Sequence, residues 1–124
     1  MNQILAIAAG GAFGAVSRYG ASNAIYSLLG RSFPFGTLFV NVLGSLLMGF
    51  LFVIMTERMN LPTEYRSIIL IGFLGSFTTF STFSMETMLL LEQAAYFKAF
   101  LNMALSVLFC LLATWIGINV ARIL

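Results

Sequence analysis

Hydrophobic residues group into four long runs along the chain, separated by short polar connections. The runs cover Ile4–Leu29, Phe35–Met55, Ser67–Leu91 and Ala99–Ala121. A helix needs about 20 apolar residues to cross the hydrocarbon core of a bilayer, and each run meets that length. Strands of a membrane barrel would be about ten residues of alternating polarity, whereas these runs are longer and apolar on both faces. The pattern predicts an all-α membrane protein with four transmembrane helices, forming a single domain over residues 1–124.

The connections between the runs carry most of the polar residues. They read GRSFP at 30–34, TERMNLPTEYR at 56–66 and EQAAYFK at 92–98. Pro34 and Pro62 indicate places where helices begin or end, because proline cannot continue a helix from within. The amino-terminal sequence MNQILAIAAGGAFG has no basic region like that of a secretory signal peptide. We therefore expect it to start a retained helix.

The composition supports a membrane location and excludes several functions. Of 124 residues, 60% are hydrophobic and 8% are charged, whereas soluble domains carry about 25% charged residues. The net charge is only +2 and the six basic residues are scattered, so no basic patch indicates nucleic acid as a partner. Histidine is absent and Cys110 is the only cysteine. An intramolecular disulfide and a Cys/His metal cluster are therefore excluded, and no catalytic base or triad is evident, so we expect no enzyme.

Basic residues are almost evenly divided between the two sides of the predicted membrane domain. With four spans, both termini share a side with the second connection, and that side holds Arg58, Arg66 and Arg122. The other side holds Arg31 and Lys98, and it also gains Arg18 if that side chain reaches outward. Because the two sides carry nearly equal numbers of basic residues, the positive-inside rule predicts no single orientation. We expect insertion in both orientations and hence an antiparallel dimer, although one or two charges could instead suffice to orient the chain.

Small and polar residues form stripes on the predicted helices. Gly10 with Gly14, and Ser45 with Gly49, provide faces on which helices pack closely. Polar stripes recur every four residues, at Thr37, Asn41 and Ser45 on the second helix and at Asn102, Ser106 and Cys110 on the fourth. The third helix adds a further polar stripe at Thr78, Thr79, Ser81, Thr82 and Ser84. Polar groups in lipid must face protein or water. The residues of these stripes therefore either form hydrogen bonds between helices or line a water-filled path. Three stripes together favour the path.

The third run contains the unusual sequence GSFTTFSTFSMETM at 75–88. On an ideal helix, residues three apart lie near one face, which predicts two adjacent ridges. One ridge is aromatic (Phe77, Phe80, Phe83) and the other is hydroxylic (Thr78, Ser81, Ser84). Glycine and paired hydroxyl residues make poor helix, so we expect the third helix to break near its middle, around 75–79. A simple kink is the alternative.

The chemistry of these residues favours an anion as the transported species. Hydroxyls and the Asn41 amide donate hydrogen bonds, and an aromatic ring presents a positive edge. Arg18 is the charged residue well inside the first run, and an ionisable residue there is a functional candidate. Routes for cations usually carry rings of acidic side chains, whereas the apolar runs contain only Glu86.

These residues resemble the Fluc (CrcB) fluoride channel family. GSFTTFSTFSMET at 75–87 is similar to its signature, and GGAFGAVSRY at 10–19 and PFGTLFVNVLGSLLMG at 34–49 are similar to its helix 1 and helix 2 motifs. The resemblance implies a bacterial inner-membrane protein that forms an antiparallel, dual-topology homodimer. It further implies two pores, passive fluoride efflux that relieves toxicity, and a structural Na⁺ at the dimer interface.

The resemblance also implies roles for individual residues. Phe80 and Phe83 would lie beside the anion, Asn41 would be the pore amide, and Thr37 and Arg18 would form an electropositive vestibule. A hydroxyl track would comprise Ser81, Thr82 and Ser84, with Glu86 near its far end. The carbonyls of Gly75 and Thr78 would bind Na⁺. Ser106 and Cys110 depart from the family pattern, because a larger polar or aromatic side chain and a serine are expected there; Ser106 is retained as a pore candidate.

Two other functions fit four short spans. A small multidrug-type proton-coupled exporter would resemble this chain in size and dual topology, but that class carries a membrane-embedded Glu in helix 1, where this chain has Arg18. A structural membrane subunit would use the stripes and aromatic residues for packing only.

Overall fold

The computed structural model describes residues 2–124, and four of its helical segments are long and apolar enough to cross a membrane. These spans cover Asn2–Leu29, Phe35–Arg58, Thr63–Glu92 and Tyr96–Ile123. The prediction of an all-helical chain with four spans is confirmed. All four spans extend a few residues beyond the apolar runs at one or both ends, because the helices continue into the flanking residues.

The spans are built from six α-helices and two π-helical stretches. The first span is α1 (Asn2–Leu29) and the fourth is α6 (Tyr96–Ile123). The second consists of α2 (Phe35–Val53) and a π-helical turn, Ile54–Arg58. The third combines α3 (Thr63–Arg66), a π-helical stretch (Ser67–Leu74), α4 (Gly75–Phe77) and α5 (Phe80–Glu92).

Local sequence explains where several helices start and stop. Gly30 follows α1 with φ of 84°, a left-handed conformation that glycine adopts without a steric penalty. Its N–H donates to the Tyr26 carbonyl over 2.8 Å, which closes the end of α1. Pro34 and Pro62 come directly before α2 and α3, where a missing N–H costs no helical hydrogen bond. The expectation that these prolines mark helix ends is confirmed.

Glycines bring α2 and α6 into backbone contact. A Cβ added to Gly49 would collide with the Thr114 carbonyl, and one added to Gly117 would collide with the Leu46 carbonyl. The Thr114 hydroxyl donates to the Ser45 carbonyl over 3.2 Å. The predicted packing role of Ser45 and Gly49 is therefore confirmed.

The first span packs in the same way against the third. A Cβ at Gly10 would lie 2.5 Å from the Ile68 carbonyl oxygen, and one at Gly14 would collide with the Phe73 carbonyl. Both glycines are buried. The small-residue face predicted for α1 therefore meets the π-helical stretch of the third span.

Contacts at the two ends of the helices match the predicted grouping of the connections. At one end, Arg122 pairs with Glu57 at 3.0 Å, and Arg58 donates to the Arg122 carbonyl. At the other end, the Lys98 ammonium donates to the Ser32 carbonyl over 3.1 Å. The carboxyl terminus thus meets the second connection, while the first and third connections meet each other.

Two residues in the third span have extended backbone. Thr78 has φ of −89° and ψ of 158°, and Thr79 has φ of −152° and ψ of 117°. They separate Phe77 from Phe80, so the two phenylalanines do not share a helix. Phe77 is 6% exposed and stacks on Phe73, whereas Phe80 is 76% exposed. The predicted ridge through Phe77, Phe80 and Phe83 is therefore wrong, because its spacing assumed a continuous helix.

The Asn41 side chain supplies hydrogen-bond partners at this point. Its Nδ2 donates to the Thr79 carbonyl over 2.9 Å, and its Oδ1 accepts from the Thr79 N–H over 2.7 Å. One side-chain amide thus replaces both partners that the backbone of Thr79 would have in a helix. Such replacement is needed because an unpaired backbone group in a membrane costs several kcal/mol.

We predict that Asn41→Leu destabilises the fold, because it leaves the N–H and C=O of Thr79 without partners. Each buried unpaired group costs about 1–3 kcal/mol, so the loss should be about 2–6 kcal/mol. The measurement is unfolding in detergent. Asn119→Leu is the matched control, since Asn119 donates only to the Trp115 carbonyl of its own helix. Equal stability of the two variants would contradict the role of Asn41.

Candidate functional site

A cavity beside the extended residues is named here the aromatic cavity. It has a volume of about 400 Å³, and residues of the second, third and fourth spans line it. Its polar lining comprises Asn41, Ser45, Thr78, Thr79, Ser106, Cys110 and Thr114, and its aromatic lining is Phe80 and Phe83. Polar residues from three spans therefore converge on one space.

The two aromatic rings of this cavity are adjacent. The centroids of Phe80 and Phe83 lie 5.3 Å apart and the ring planes are tilted by 47°. The tilt turns edges as well as faces toward the surroundings, and ring edges carry partial positive charge. Phe80 is largely exposed on a single chain, so its ring has room for a further contact.

A second space, the middle cavity, lies on the other side of Thr79. Its volume is about 180 Å³, and its lining includes Arg18, Thr37, Thr79 and Thr82. Arg18 is its one charged lining residue. The structure thus brings Arg18 and Thr37 together. Thr79, at the break in the third span, lines both the middle and the aromatic cavity.

The Thr79 hydroxyl is the centre of a small hydrogen-bond cluster. Its Oγ1 accepts from the Thr82 N–H over 3.1 Å and donates to the Thr82 hydroxyl over 3.0 Å. The Ser81 hydroxyl lies 3.4 Å away. Thr79 thereby caps the first turn of α5 and holds hydroxyls of the predicted track together.

A third space, the end cavity, lies where the first and third connections meet. Its volume is about 340 Å³. Arg31 and Lys98 line it together with Tyr26 and Glu86. The Tyr26 hydroxyl donates to Glu86 Oε2 over 2.8 Å and lies 3.4 Å from the Thr37 hydroxyl. Glu86 is therefore close to the vestibule residue Thr37, with Tyr26 between them.

Other polar residues of the predicted stripes donate hydrogen bonds to groups within the protein. The Ser84 hydroxyl donates to the Phe80 carbonyl of its own helix over 3.0 Å. Asn102 donates to the Thr87 hydroxyl over 2.9 Å and is 2% exposed, while Ser106 donates weakly to Asn102 over 3.5 Å. Part of the fourth-helix stripe therefore joins α6 to α5, and Ser106 and Cys110 also reach the aromatic cavity.

The two carbonyls implied for a cation have lost their usual helical donors. In a helix, the Gly75 carbonyl would accept from the Thr79 N–H, and the Thr78 carbonyl would accept from the Thr82 N–H. Here the first N–H donates to Asn41 and the second to Thr79 Oγ1. No group of three His, Cys, Asp or Glu side chains forms a metal site within residues 2–124, so a cation here would depend on backbone and hydroxyl oxygens.

Two residues of these cavities were not predicted from sequence. The sequence pattern places Thr79 among the other hydroxyls of the third span and gives it no role of its own. Its hydroxyl and its position just before α5 are nevertheless typical of a helix cap. Tyr26 carried no signal of its own, since a tyrosine near the end of a span is common at membrane interfaces. Its contacts are with residues 11 and 60 positions away, which periodicity does not reveal.

Comparison with known proteins places the chain in a family. The sequence profile described as "CrcB-like protein, Camphor Resistance (CrcB)" matches residues 5–118. A protein of Magnetococcus marinus is 52% identical over 122 residues, which cover 98% of this chain and 99% of the relative. One from Coxiella burnetii is 50% identical over 123 residues, covering 98% of each.

A relative from Methylococcus capsulatus is 56% identical over 119 residues, which cover 96% of this chain but only 52% of the relative's own length. All three relatives are named "Fluoride-specific ion channel FluC". These are names of channels, in agreement with the expectation that the chain is not an enzyme. With four spans and a family match over most of its length, the chain is a multi-pass membrane protein and belongs to the CrcB family.

Proposed function

We propose that this chain is a fluoride-selective channel that mediates passive fluoride efflux across the bacterial inner membrane and relieves fluoride toxicity. The observation that carries the proposal is the aromatic cavity at the break in the third span, where Phe80, Phe83 and hydroxyls of three spans converge. The names of the relatives support fluoride as the ion.

The chemistry of the cavities supports an anion. Fluoride is small and strongly hydrated, so its passage requires closely spaced hydrogen-bond donors to replace water. The middle cavity offers the hydroxyls of Thr37, Thr79 and Thr82 beside the cationic Arg18. The aromatic cavity follows with Asn41, Ser106 and the ring edges of Phe80 and Phe83. Polar side chains therefore line both cavities, and Thr79 is common to the two.

The working form in this proposal is an antiparallel, dual-topology homodimer with two pores. A single chain exposes Gly75, Ser81 and Thr82 next to the break, although polar groups at that depth must face protein or water rather than lipid. A second copy would cover them together with the exposed ring of Phe80. The near balance of basic residues between the two sides favours insertion both ways up.

A structural Na⁺ at the dimer interface fits the same residues. The carbonyls of Gly75 and Thr78 lack their usual helical donors, and carbonyl oxygens are suitable ligands for a hard cation. Gly75 is exposed on the single chain, which leaves its backbone open to a partner. When bound, the ion would supply positive charge that holds the two broken helices together.

The alternative functions receive less support. A proton-coupled multidrug exporter needs an acidic residue in helix 1, whereas α1 contains Arg18 as its only charged residue. A purely structural subunit would not require two cavities that share Thr79 and are lined by hydroxyls. Neither alternative accounts for a break whose flanking residues line two cavities.

We predict that the purified protein releases fluoride from liposomes. Release from liposomes loaded with potassium fluoride is followed with an ion-selective electrode after valinomycin is added, with chloride-loaded liposomes as the ion control. Fluoride should leave and chloride should not, because a chloride ion is larger and less strongly hydrogen-bonded. Absence of fluoride release, or equal chloride release, would contradict the proposed function.

We predict that Phe80→Ala and Phe83→Ala each lower fluoride flux about tenfold, equivalent to about 1.4 kcal/mol of barrier. The dimer should still assemble, because each substitution removes only one ring from the surface that the second copy would cover. Phe100→Ala is the matched control, since Phe100 lies on α6 with 62% exposure and lines none of the three cavities. Unchanged flux in both test variants would assign these rings to packing alone.

We predict dual insertion from the distribution of basic residues. In a Cys110→Ala background, an Asn60→Cys variant places one thiol in the second connection. A membrane-impermeant maleimide should label it from both sides of the membrane. Labelling from one side only would refute dual topology.

We predict that sodium supports the assembled channel. Thorough replacement of Na⁺ by N-methylglucamine should lower both fluoride flux and the dimer fraction in detergent, and return of Na⁺ should restore them. Replacement of the accompanying anion by gluconate is the control for ionic strength. Flux and dimer fraction that are both independent of Na⁺ would remove the ion from the proposal.

A further inference from the structure

The Tyr26 side chain lies between one residue of the end cavity and one residue of the middle cavity. Its hydroxyl contacts Glu86 of the end cavity over 2.8 Å and lies 3.4 Å from Thr37 of the middle cavity. The three residues come from α5, α1 and α2. The Tyr26 hydroxyl is therefore within reach of polar side chains of both cavities.

The Tyr26 ring is held in a fixed position by its neighbours. A Cβ added to Gly36 would lie 2.5 Å from the Tyr26 Cε2 atom, so the ring lies directly against the backbone of α2. The Arg31 guanidinium lies over the Tyr26 ring, 4.5 Å from the ring centroid. Packing and cation–π attraction thus fix the ring, while the hydroxyl hydrogen remains free to rotate.

The direction of the hydrogen bonds follows from the number of hydrogens. A phenol has one hydrogen, and Tyr26 donates it to the carboxylate of Glu86, which is acceptor-only when ionised. The contact with Thr37 must then be a donation from the threonine hydroxyl to the tyrosine oxygen. Two hydrogens in series therefore point toward Glu86, and both are able to turn toward an anion.

The surroundings of Glu86 favour such a transfer. Its Oε1 is buried without a hydrogen-bond partner among residues 2–124, so Tyr26 supplies the one hydrogen bond that the carboxylate receives. Arg31 and Lys98 line the same cavity, which therefore carries two cations against one carboxylate. An anion that enters the end cavity meets net positive charge and has the Tyr26 hydroxyl in the same lining.

We propose that Tyr26 is the donor that passes fluoride between the end cavity and the middle cavity. It releases Glu86, turns its O–H to the anion, and returns to Glu86 when the anion has moved to Thr37. The proposal rests on the proposed fluoride conduction and adds a conduction residue on α1. Without the phenol hydrogen, the anion must cross this junction with one donor fewer.

The test is Tyr26→Phe, which keeps the ring and its packing against Gly36 and Arg31. Fluoride flux per reconstituted dimer should fall about tenfold, equivalent to about 1.4 kcal/mol of barrier. Tyr96→Phe is the matched control, because Tyr96 lies at the start of α6 with 66% exposure and lines none of the three cavities. Flux in Tyr26→Phe within about twofold of this control would overturn the proposal, since that is well short of the tenfold change expected for a lost donor.

A coupling measurement separates conduction from a structural role. If Tyr26 acts through Glu86, the double variant of Tyr26→Phe with Glu86→Gln should conduct about as well as the poorer single variant. A purely structural hydroxyl would lower thermal stability and leave flux per folded dimer unchanged, and that result would also overturn the proposal. Additive losses in flux would show that the two residues act independently, against the transfer described here.

Replacement of Tyr26 by 4-aminophenylalanine provides a rescue test, because it keeps an N–H donor at the same place. Flux should return to at least half of the wild-type value, a recovery of most of the tenfold loss. Failure of this variant to conduct better than Tyr26→Phe, with both correctly assembled, would contradict the donor role. If the wild-type protein itself released no fluoride, the proposed function would fail instead, which is a distinct outcome.

Discussion

The structure depends on one side-chain amide that supplies the two hydrogen-bond partners a helix would otherwise provide. A break in a transmembrane span leaves an N–H and a C=O that lipid cannot satisfy. Asn41 provides an acceptor and a donor in the same planar arrangement as a peptide, and it pairs with both groups of Thr79. Leucine or valine of similar size would pair with neither. The extended backbone at Thr78–Thr79 is therefore stable because α2 presents asparagine at that position.

The replacement of helical hydrogen bonds by the Asn41 side chain has consequences along the third span. Since Asn41 takes the Thr79 N–H and the Thr79 hydroxyl takes the Thr82 N–H, the carbonyls of Gly75 and Thr78 lose the donors that a helix would give them. The two extended residues also end the register of the helix, which is why Phe77 packs in the interior while Phe80 turns outward. Thr79, at the centre of this change, lines both the aromatic and the middle cavity.

Sequence predicted the features that depend on local pattern. Four spans follow from the apolar runs, the starts of α2 and α3 from Pro34 and Pro62, and the close packing of α1 from Gly10 and Gly14. The extrapolation from Phe80 to Phe77 failed because helical spacing does not hold across extended backbone. The contact of Tyr26 with Glu86 was beyond prediction, since it joins residues 60 positions apart through the packing of α1, α2 and α5.

The polar residues of the spans divide into two kinds according to where their hydrogens go. Ser84 and Thr87 donate to carbonyls of their own helix, so each offers a neighbour only its oxygen. Tyr26 and Thr37 instead donate along a chain of side chains, and such a hydrogen turns toward a new acceptor without breaking a helix. In the proposed channel, this difference separates residues that serve packing from those that would accompany an anion. Hydroxyl residues and their spacing in the sequence do not distinguish the two kinds. The distinction depends on the geometry of the folded chain.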